Sequence, residues 1–591
     1  METIEAFINP WSCCQPQLVS LVSGIVASPE IQQDQLSAAD FGEKSLQKFF
    51  ADRISSKDVD FFAPIKASKL KTFDKSTHGR QKTKQHLKTA SITHDKSIYA
   101  RLLVIGRSRD IDLKSVLCYP INPVPLPLAT ADGEICKTNK SVLLQVIESD
   151  IEDRFLDASK CVDTALIVDS MAMIQALPAA SIPSTFGLLG DLVLKNLLYL
   201  AQHYKSSRLD FVIDRYSRQS IKASERVRRT KNTIFHLNIT NKDVKVPKQW
   251  KSFLSNGANK ESLLEFLAIY WETCDLPPAF KLVVAVGSSC RQLISSGNRT
   301  EATDLLELAC DHEEADTRLI AHAANAAKDH STIIISSPDT DVAVLCLAHS
   351  DICRQFGFLT GVKSKRRLLD IRKCAQYLGS GICKALIGLH AFTGCDSVSS
   401  FAGKGKKTVY RLVKTNPECL STMQQLGECF DMPENIIEKI EKFVCVMYGL
   451  DKVGKVNEAR YKLFCSSAGS ESSMPPCQDT LLQHAMRANY QAAIWKRANM
   501  STISAPTPLQ HGWVEKDGQY TVVWNTGPIA PKDVLQSVYC RCVKSKCEDG
   551  RCSCKLARLR CTDVCTCKSC ENDVVDEEPI IYNEDLDDEW E

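Results

Sequence analysis

A chain of 591 residues has room for roughly three or four domains of about 150 residues, and 44% hydrophobic content is ordinary for a globular protein with a large core. Its 73 Lys and Arg against 71 Asp and Glu exclude a global electrostatic pull on nucleic acid, so any such attraction must come from local patches. Met1-Glu2-Thr3-Ile4-Glu5 has no basic n-region and no apolar run nears the roughly 18 residues that span a bilayer; the expectation is a soluble, non-secreted protein with no membrane partner.

Residues 1–155 read as an N-terminal accessory region with no nameable chemistry. From Lys66 to Arg101 ten Lys/Arg face only Asp74 and Asp95, which reads as a solvated loop or, more sharply, a phosphate-binding or nuclear-import stretch. Tyr119 to Pro127 is too rich in proline for a helix or central strand, and marks a boundary or a rigid packed arm. A helical stretch runs from Lys140 to Phe155.

Strands then alternate with helices over a core spanning 156–440. Ala165-Leu166-Ile167-Val168 closes on Asp169, and Leu209 to Ile213 closes on Asp214; Lys281 to Val286 is a third strand. Ile333-Ile334-Ile335 leads through Ser336-Ser337-Pro338 to Asp339 and Asp341. This alternation predicts an α/β fold with a doubly wound, mostly parallel sheet, whose carboxyl edge is where such sheets hold ligands. Each aspartate alone is accounted for as a turn or helix-cap residue. Together they would converge on one edge, where carboxylates repel unless cations neutralise them, and a pair of divalent metals resolves that.

Asp311 to Ile320 opens a helix with an acidic first turn, as the helix dipole alone favours. Ala385 to Asp396 runs into Gly403-Lys404-Gly405-Lys406-Lys407-Thr408, which lacks P-loop spacing and reads as a hairpin between helices whose N–H groups and lysines could hold a phosphate.

The order of these motifs, over about residues 160–415, resembles the flap-endonuclease/XPG-type branch of the PIN-like nucleases. The resemblance implies seven carboxylates, Asp169, Asp214, Glu314, Asp316, Asp339, Asp341 and Asp396, holding two Mg²⁺ ions. It implies scissile-phosphate contacts from Lys222 and Arg229, with Arg226 or Arg228 as alternatives to the arginine, and a DNA-gripping helix-hairpin-helix at Gly403, Lys404, Gly405, Lys406 and Lys407. Two oxygen-ligated Mg²⁺ ions would activate water and stabilise the leaving oxygen. Ser397 stands where the family has an aromatic, and Asp316 where it has a glutamate; Glu313 is a candidate substitute for Glu314 or Asp316. The stretch Thr230 to Ala309 is long for the family and offers the length for a substrate-gating arch.

Residues 441–539 read as a helical extension and linker, Ser466 to Pro476 being linker by composition. Then Cys540, Cys542, Cys547, Cys552, Cys554, Cys561, Cys565, Cys567 and Cys570 follow as C-x-C-x4-C-x4-C-x-C-x6-C-x3-C-x-C-x2-C, nine of the 27 cysteines of the chain. A segment this poor in large apolar residues needs metal to fold, and thiolates select Zn²⁺. An odd count of thiols argues against a disulfide knot, and the remaining cysteines read as free thiols in a reducing compartment. The spacing resembles the CXC domain of tesmin-type and male-specific-lethal proteins, which implies three Zn²⁺ ions in a shared cluster and DNA binding over 540–570. Eight Lys/Arg against three acids there agree with a weak, salt-sensitive grip on DNA. Residues 571–591 carry eleven acids and no base, a solvated tail or a mask for the basic module. The leading expectation is a Mg²⁺-dependent structure-specific nuclease brought to DNA by its zinc module, in the nucleus or the cytoplasm. The alternative is a DNA-binding or chromatin-associated zinc protein with an inactive nuclease-like core, derived in one version from a mobile element.

Overall fold

The computed structural model describes residues 112–531 except 123, 131, 216–219, 222–235, 297–298, 363–364 and 467–470, together with 18, 25–26, 29–56, 58–61 and the single positions 542, 547, 552, 555, 561, 567 and 572. The basic stretch 66–101, Lys222, Arg226, Arg228, Arg229, Cys540, Cys554, Cys565, Cys570 and the acidic tail beyond Asn572 lie outside the described residues.

Eight strands build the main sheet: β1 Thr164–Asp169, β2 Ser206–Val212, β3 Lys281–Val286, β4 Ser289–Ser296, β5 Arg299–Asp304, β6 Thr332–Ser336, β7 Gln355–Thr360 and β8 Arg367–Asp370, in the order β8-β7-β6-β1-β2-β3-β4-β5. The five central strands β7, β6, β1, β2 and β3 run parallel, and antiparallel pairs extend the sheet at both edges.

The helices that matter for the site are α1 Ser141–Ser149, α2 Ser170–Gln175, α3 Phe186–His203, α4 Gly257–Trp271, α5 Ala315–Ala326, α6 Thr340–Ala348, α7 Ile371–Leu378, α8 Ser380–Phe392, α9 Lys406–Thr415, α10 Pro417–Gln425 and α11 Gln478–Lys496. The period of two along a strand divides its side chains between two cores. Ala165, Ile167, Ile333 and Ile335 meet α1, α5, α6, α8 and α11, while Leu166, Val168 and Ile334 meet α3 and α4. Burial on both faces is what selects unbroken aliphatic runs for central parallel strands, and the doubly wound α/β arrangement follows.

Leu128 and the helix α1 share this core, whereas Val116, Leu117 and Ile121 form a separate cluster with Tyr461 and Phe464. Leu143 and Ile147 of α1 are buried in the same cluster as β1, and α1 packs against α6 and α9. The described part of 230–309 forms no arch. It folds into α4 and the β3–β4–β5 meander, because Leu263, Leu264, Leu267 and Trp271 supply an apolar stripe that α3 and the sheet cover. The described part of the expected linker is likewise packed: Met474 and Cys477 are buried, and the carboxylate of Glu471, also buried, accepts from the Asn122 amide.

One glycine sets a helix–helix approach. A Cβ on Gly388 in α8 would lie 2.1 Å from the Met423 carbonyl oxygen of α10, so only glycine lets these two helices approach this closely. Among the described residues no helix is long and apolar enough to cross a membrane.

Candidate metal centre

The parallel register brings the acids together. Val168 pairs with Ser336 and Asp169 with Val212, so the carboxyl ends of β6, β1 and β2 lie side by side on one edge. Asp169 caps α2 by accepting the Ala172 N–H at 3.1 Å, and its other oxygen accepts the Ser337 hydroxyl at 3.0 Å. That hydroxyl receives the Asp339 N–H at 3.2 Å, and Asp339 caps α6 by accepting the Asp341 N–H at 2.9 Å. Asp214, two residues past β2, accepts the Ala315 N–H at 2.8 Å and so ties the start of α5 to the same edge.

Asp316 stands in the first turn of α5, where the helix dipole favours an anion. One carboxylate oxygen from each of Asp316, Asp339 and Asp341 lies within 4.8 Å of the others, a spacing that a hard divalent cation with oxygen ligands can bridge. Glu314, the N-cap residue of α5, has an oxygen 3.4 Å from the Trp495 indole nitrogen of α11. Glu313 and Glu314 line a neighbouring cavity of about 350 Å³ with Tyr490, Gln491 and Tyr520.

Asp341 is buried and has partners on both oxygens: His390 Nε2 at 2.8 Å and Lys140 Nζ at 2.8 Å. Burial opposes its charge, but the His390 hydrogen bond and the Lys140 ammonium hold the carboxyl well below the usual range. Lys140 also lies 2.8 Å from Oδ1 of Asp396. Burial works against its charge too, yet Asp341, Asp339 and Asp396 outweigh burial and raise its pKa. His390 is pushed down to about 4 by burial and by Lys406, so at neutral pH it donates from Nε2 as a neutral ring. Lys137 pins the same loop by donating to the Asp396 carbonyl at 3.1 Å.

Sequence reasoning named the acids and missed Lys140, His390 and Ser337. Ser337 lies inside the strand-end motif, and a hydroxyl between two aspartates was the available signal. Lys140 comes from a segment more than 20 residues before the first acid, where only the three-dimensional packing reveals its reach.

The glycine–lysine run forms a tight turn, closed by a bridge between Phe401 and Lys404 with Gly403 at φ +69°. Gly403, Gly405 and Lys407 are exposed, and Lys404 Nζ lies 4.7 Å from the Tyr448 ring centroid. Lys406 departs from the expected DNA contact. It is 1% exposed, and its Nζ donates to the His390 carbonyl at 2.9 Å, the Thr393 hydroxyl at 3.0 Å and the Gly394 carbonyl at 2.6 Å. It caps the C-terminus of α8, where unpaired carbonyls need donors.

No protein-family model matches the chain, and no curated protein matches it either. Among solved structures, it is similar to the D15 flap endonuclease of bacteriophage T5 in a pseudo-enzyme–product complex with DNA and metal ions. That match has 13% identity and a TM-score of 0.27, and covers 57% of this chain and 99% of the phage chain. The T5 D15 protein co-crystallised with metal ions matches at 13% identity and a TM-score of 0.26, covering 56% and 97%.

Five of the nine module cysteines are described, and they gather. Cys542, Cys547 and Cys552 form one group with sulfurs within 4.8 Å of one another, and Cys547, Cys561 and Cys567 form a second. Cys547 belongs to both, and Cys547, Cys552 and Cys561 are buried together, with Cys542 and Cys567 packed against them. Thiols gathered this way suit a metal cluster. The described cysteines of the main fold are free, and most are buried, where loss of solvation raises the thiol pKa of Cys290, Cys346 and Cys374.

Proposed function

We propose that the chain is a Mg²⁺-dependent, structure-specific nuclease, carried to DNA in the nucleus by a C-terminal zinc module of the CXC type that holds three Zn²⁺ ions. The convergence of Asp316, Asp339 and Asp341 on the carboxyl edge of a parallel sheet is the observation that supports this reading most. Magnesium bound there would act as a Lewis acid on a phosphodiester and lower the pKa of a water.

The protein's own part is positioning. Asp339 and Asp341 stand on the rigid start of α6, Asp316 on the start of α5, and Ser337 couples Asp169 to Asp339. Asp169, Asp214, Glu314 and Asp396 would set the charge around the ion. Lys222 and Arg229 would meet the scissile phosphate. The exposed turn at Gly403, Lys404, Gly405 and Lys407 would follow the duplex backbone.

The test is cleavage of labelled flap, hairpin and single-stranded DNA and RNA by the zinc-loaded protein in Mg²⁺, beside EDTA and Asp341→Ala. Cutting that disappears in both controls supports the nuclease. Absence of cutting on every substrate, with DNA retained through the cysteine module, assigns the chain to the binding role instead.

A further inference from the structure

We propose that Lys140 is a built-in cation standing where a second divalent ion would bridge Asp341 and Asp396, so that the acidic centre holds one Mg²⁺ ion, on Asp316, Asp339 and Asp341. The inference rests on the metal-centre reading above and changes its ion count from two to one.

Three observations carry it. First, Nζ of Lys140 is 2.8 Å from Oδ2 of Asp341 and 2.8 Å from Oδ1 of Asp396, the two-carboxylate bridging position. Magnesium takes oxygens at about 2.0–2.1 Å in an octahedral shell, so an ion and this ammonium cannot share the gap. Second, the ammonium is delivered by rigid structure. Lys140 immediately precedes α1, whose Leu143 and Ile147 are locked in the main core, and Lys137 three residues earlier holds the Asp396 carbonyl. Third, Asp396 is absent from the carboxylate group that converges among the described residues; its Oδ1 faces the lysine.

The electrostatics agree with such a division. A monovalent ammonium between Asp341 and Asp396 relieves their mutual repulsion without a solvent-borne ion, and leaves Asp316, Asp339 and the remaining lone pairs of Asp341 to the metal. It also places a fixed positive charge beside the bound ion, available to a phosphate oxygen on the Asp396 side.

The experiment counts ions at the centre of the full-length, zinc-loaded chain, using Mn²⁺ followed by electron paramagnetic resonance and Mg²⁺ by calorimetry, with Asp339→Asn defining the core's share. The wild type is expected to lose one Mn²⁺ on Asp339→Asn. Lys140→Met is expected to bind two, with the line broadening of a spin-coupled pair, and Lys140→Arg to stay at one. Two core ions in the wild type overturn the inference and leave the metal centre standing, and so does one ion in a folded Lys140→Met. No Mn²⁺ lost on Asp339→Asn removes the metal-centre reading and this inference with it. The wild-type count decides the matter even where Lys140→Met melts early.

Discussion

His390 Nε2 lies 2.8 Å from Oδ1 of Asp341, and both side chains are buried. The ring is neutral and keeps its proton on the nitrogen that faces the carboxylate, while Nδ1 has no hydrogen-bond partner among the described residues. The contact turns Asp341 and shields one oxygen, leaving its remaining lone pairs to the centre. Outer partners of this kind fix the direction of a metal-binding carboxylate.

His390→Ala is therefore expected to weaken Mn²⁺ or Mg²⁺ binding at the core by about 10–100-fold. His390→Gln, which keeps a donor near the same place, is expected to recover part of the loss. Calorimetric titration of both variants checks this, and an unchanged affinity in His390→Ala would show that Asp341 needs no such support.

Lys406 and Lys407 are neighbours with opposite roles. Burial pulls the Lys406 pKa down to about 7, while three acceptors surround its nitrogen in a pattern that matches the three N–H donors of an ammonium. Lys406→Ala strands those acceptors and is expected to cost about 2–4 kcal/mol in urea unfolding, with no change in the salt dependence of DNA binding. Lys407→Ala, on the exposed side, is expected to leave stability within about 0.5 kcal/mol and to lower the slope of log K against log salt by about 0.9. The reverse pattern would return Lys406 to the DNA surface.

Acid sensitivity follows from His484. Its Nε2 donates to the Phe392 carbonyl at 2.9 Å, the ring is packed edge-on against Phe392 and Phe401, and burial together with Arg487 pushes its pKa down to about 3. Between pH 6.5 and about 3 the unfolded histidine binds a proton that the folded one refuses. The stability it contributes is thus complete above pH 6.5 and is lost as pH falls, at about 1.4 kcal/mol per pH unit. His484→Gln should flatten that part of the acid limb when urea unfolding is followed across pH, and an unaltered slope would assign the acid loss to other groups.

The fold was legible where one physical cause dominated. The run Ile333-Ile334-Ile335 has to be buried on both faces, and its side chains do divide between the two cores. The acids at the strand ends were legible because turn chemistry and site chemistry select the same residue. The β4–β5 pair was not, since Ser289–Ser296 and Arg299–Asp304 are polar strands on an outer edge and carry no strong apolar period. Lys140 was hidden for a different reason. A lysine ahead of a helix is ordinary in sequence, and its meaning comes from α1 packing beside α6, a contact between segments 200 residues apart. Lys406 misled because a lysine that follows Gly-Lys-Gly and precedes another lysine looks solvated, whereas the turn folds it back under α8.

Cys547 joins the two thiol groups of the proposed zinc module. Among the described residues it is common to the Cys542–Cys547–Cys552 and Cys547–Cys561–Cys567 groups, and it adopts φ +63°. Its sulfur lies 3.7 Å from that of Cys561, and the Asn572 amide donates to Cys561 at 3.3 Å. A thiolate between two ions neutralises each of them in part, so its loss unbalances both. Cys547→Ser is accordingly expected to release more zinc per chain, in a colorimetric chelator assay, than Cys542→Ser or Cys567→Ser, each of which belongs to one group among the described residues. The main sheet does not fold on these thiols, so its melting transition should stay in place after chelation, while DNA retention by the full chain falls. Equal zinc loss from all three variants would make the groups independent sites and remove the bridging role from Cys547.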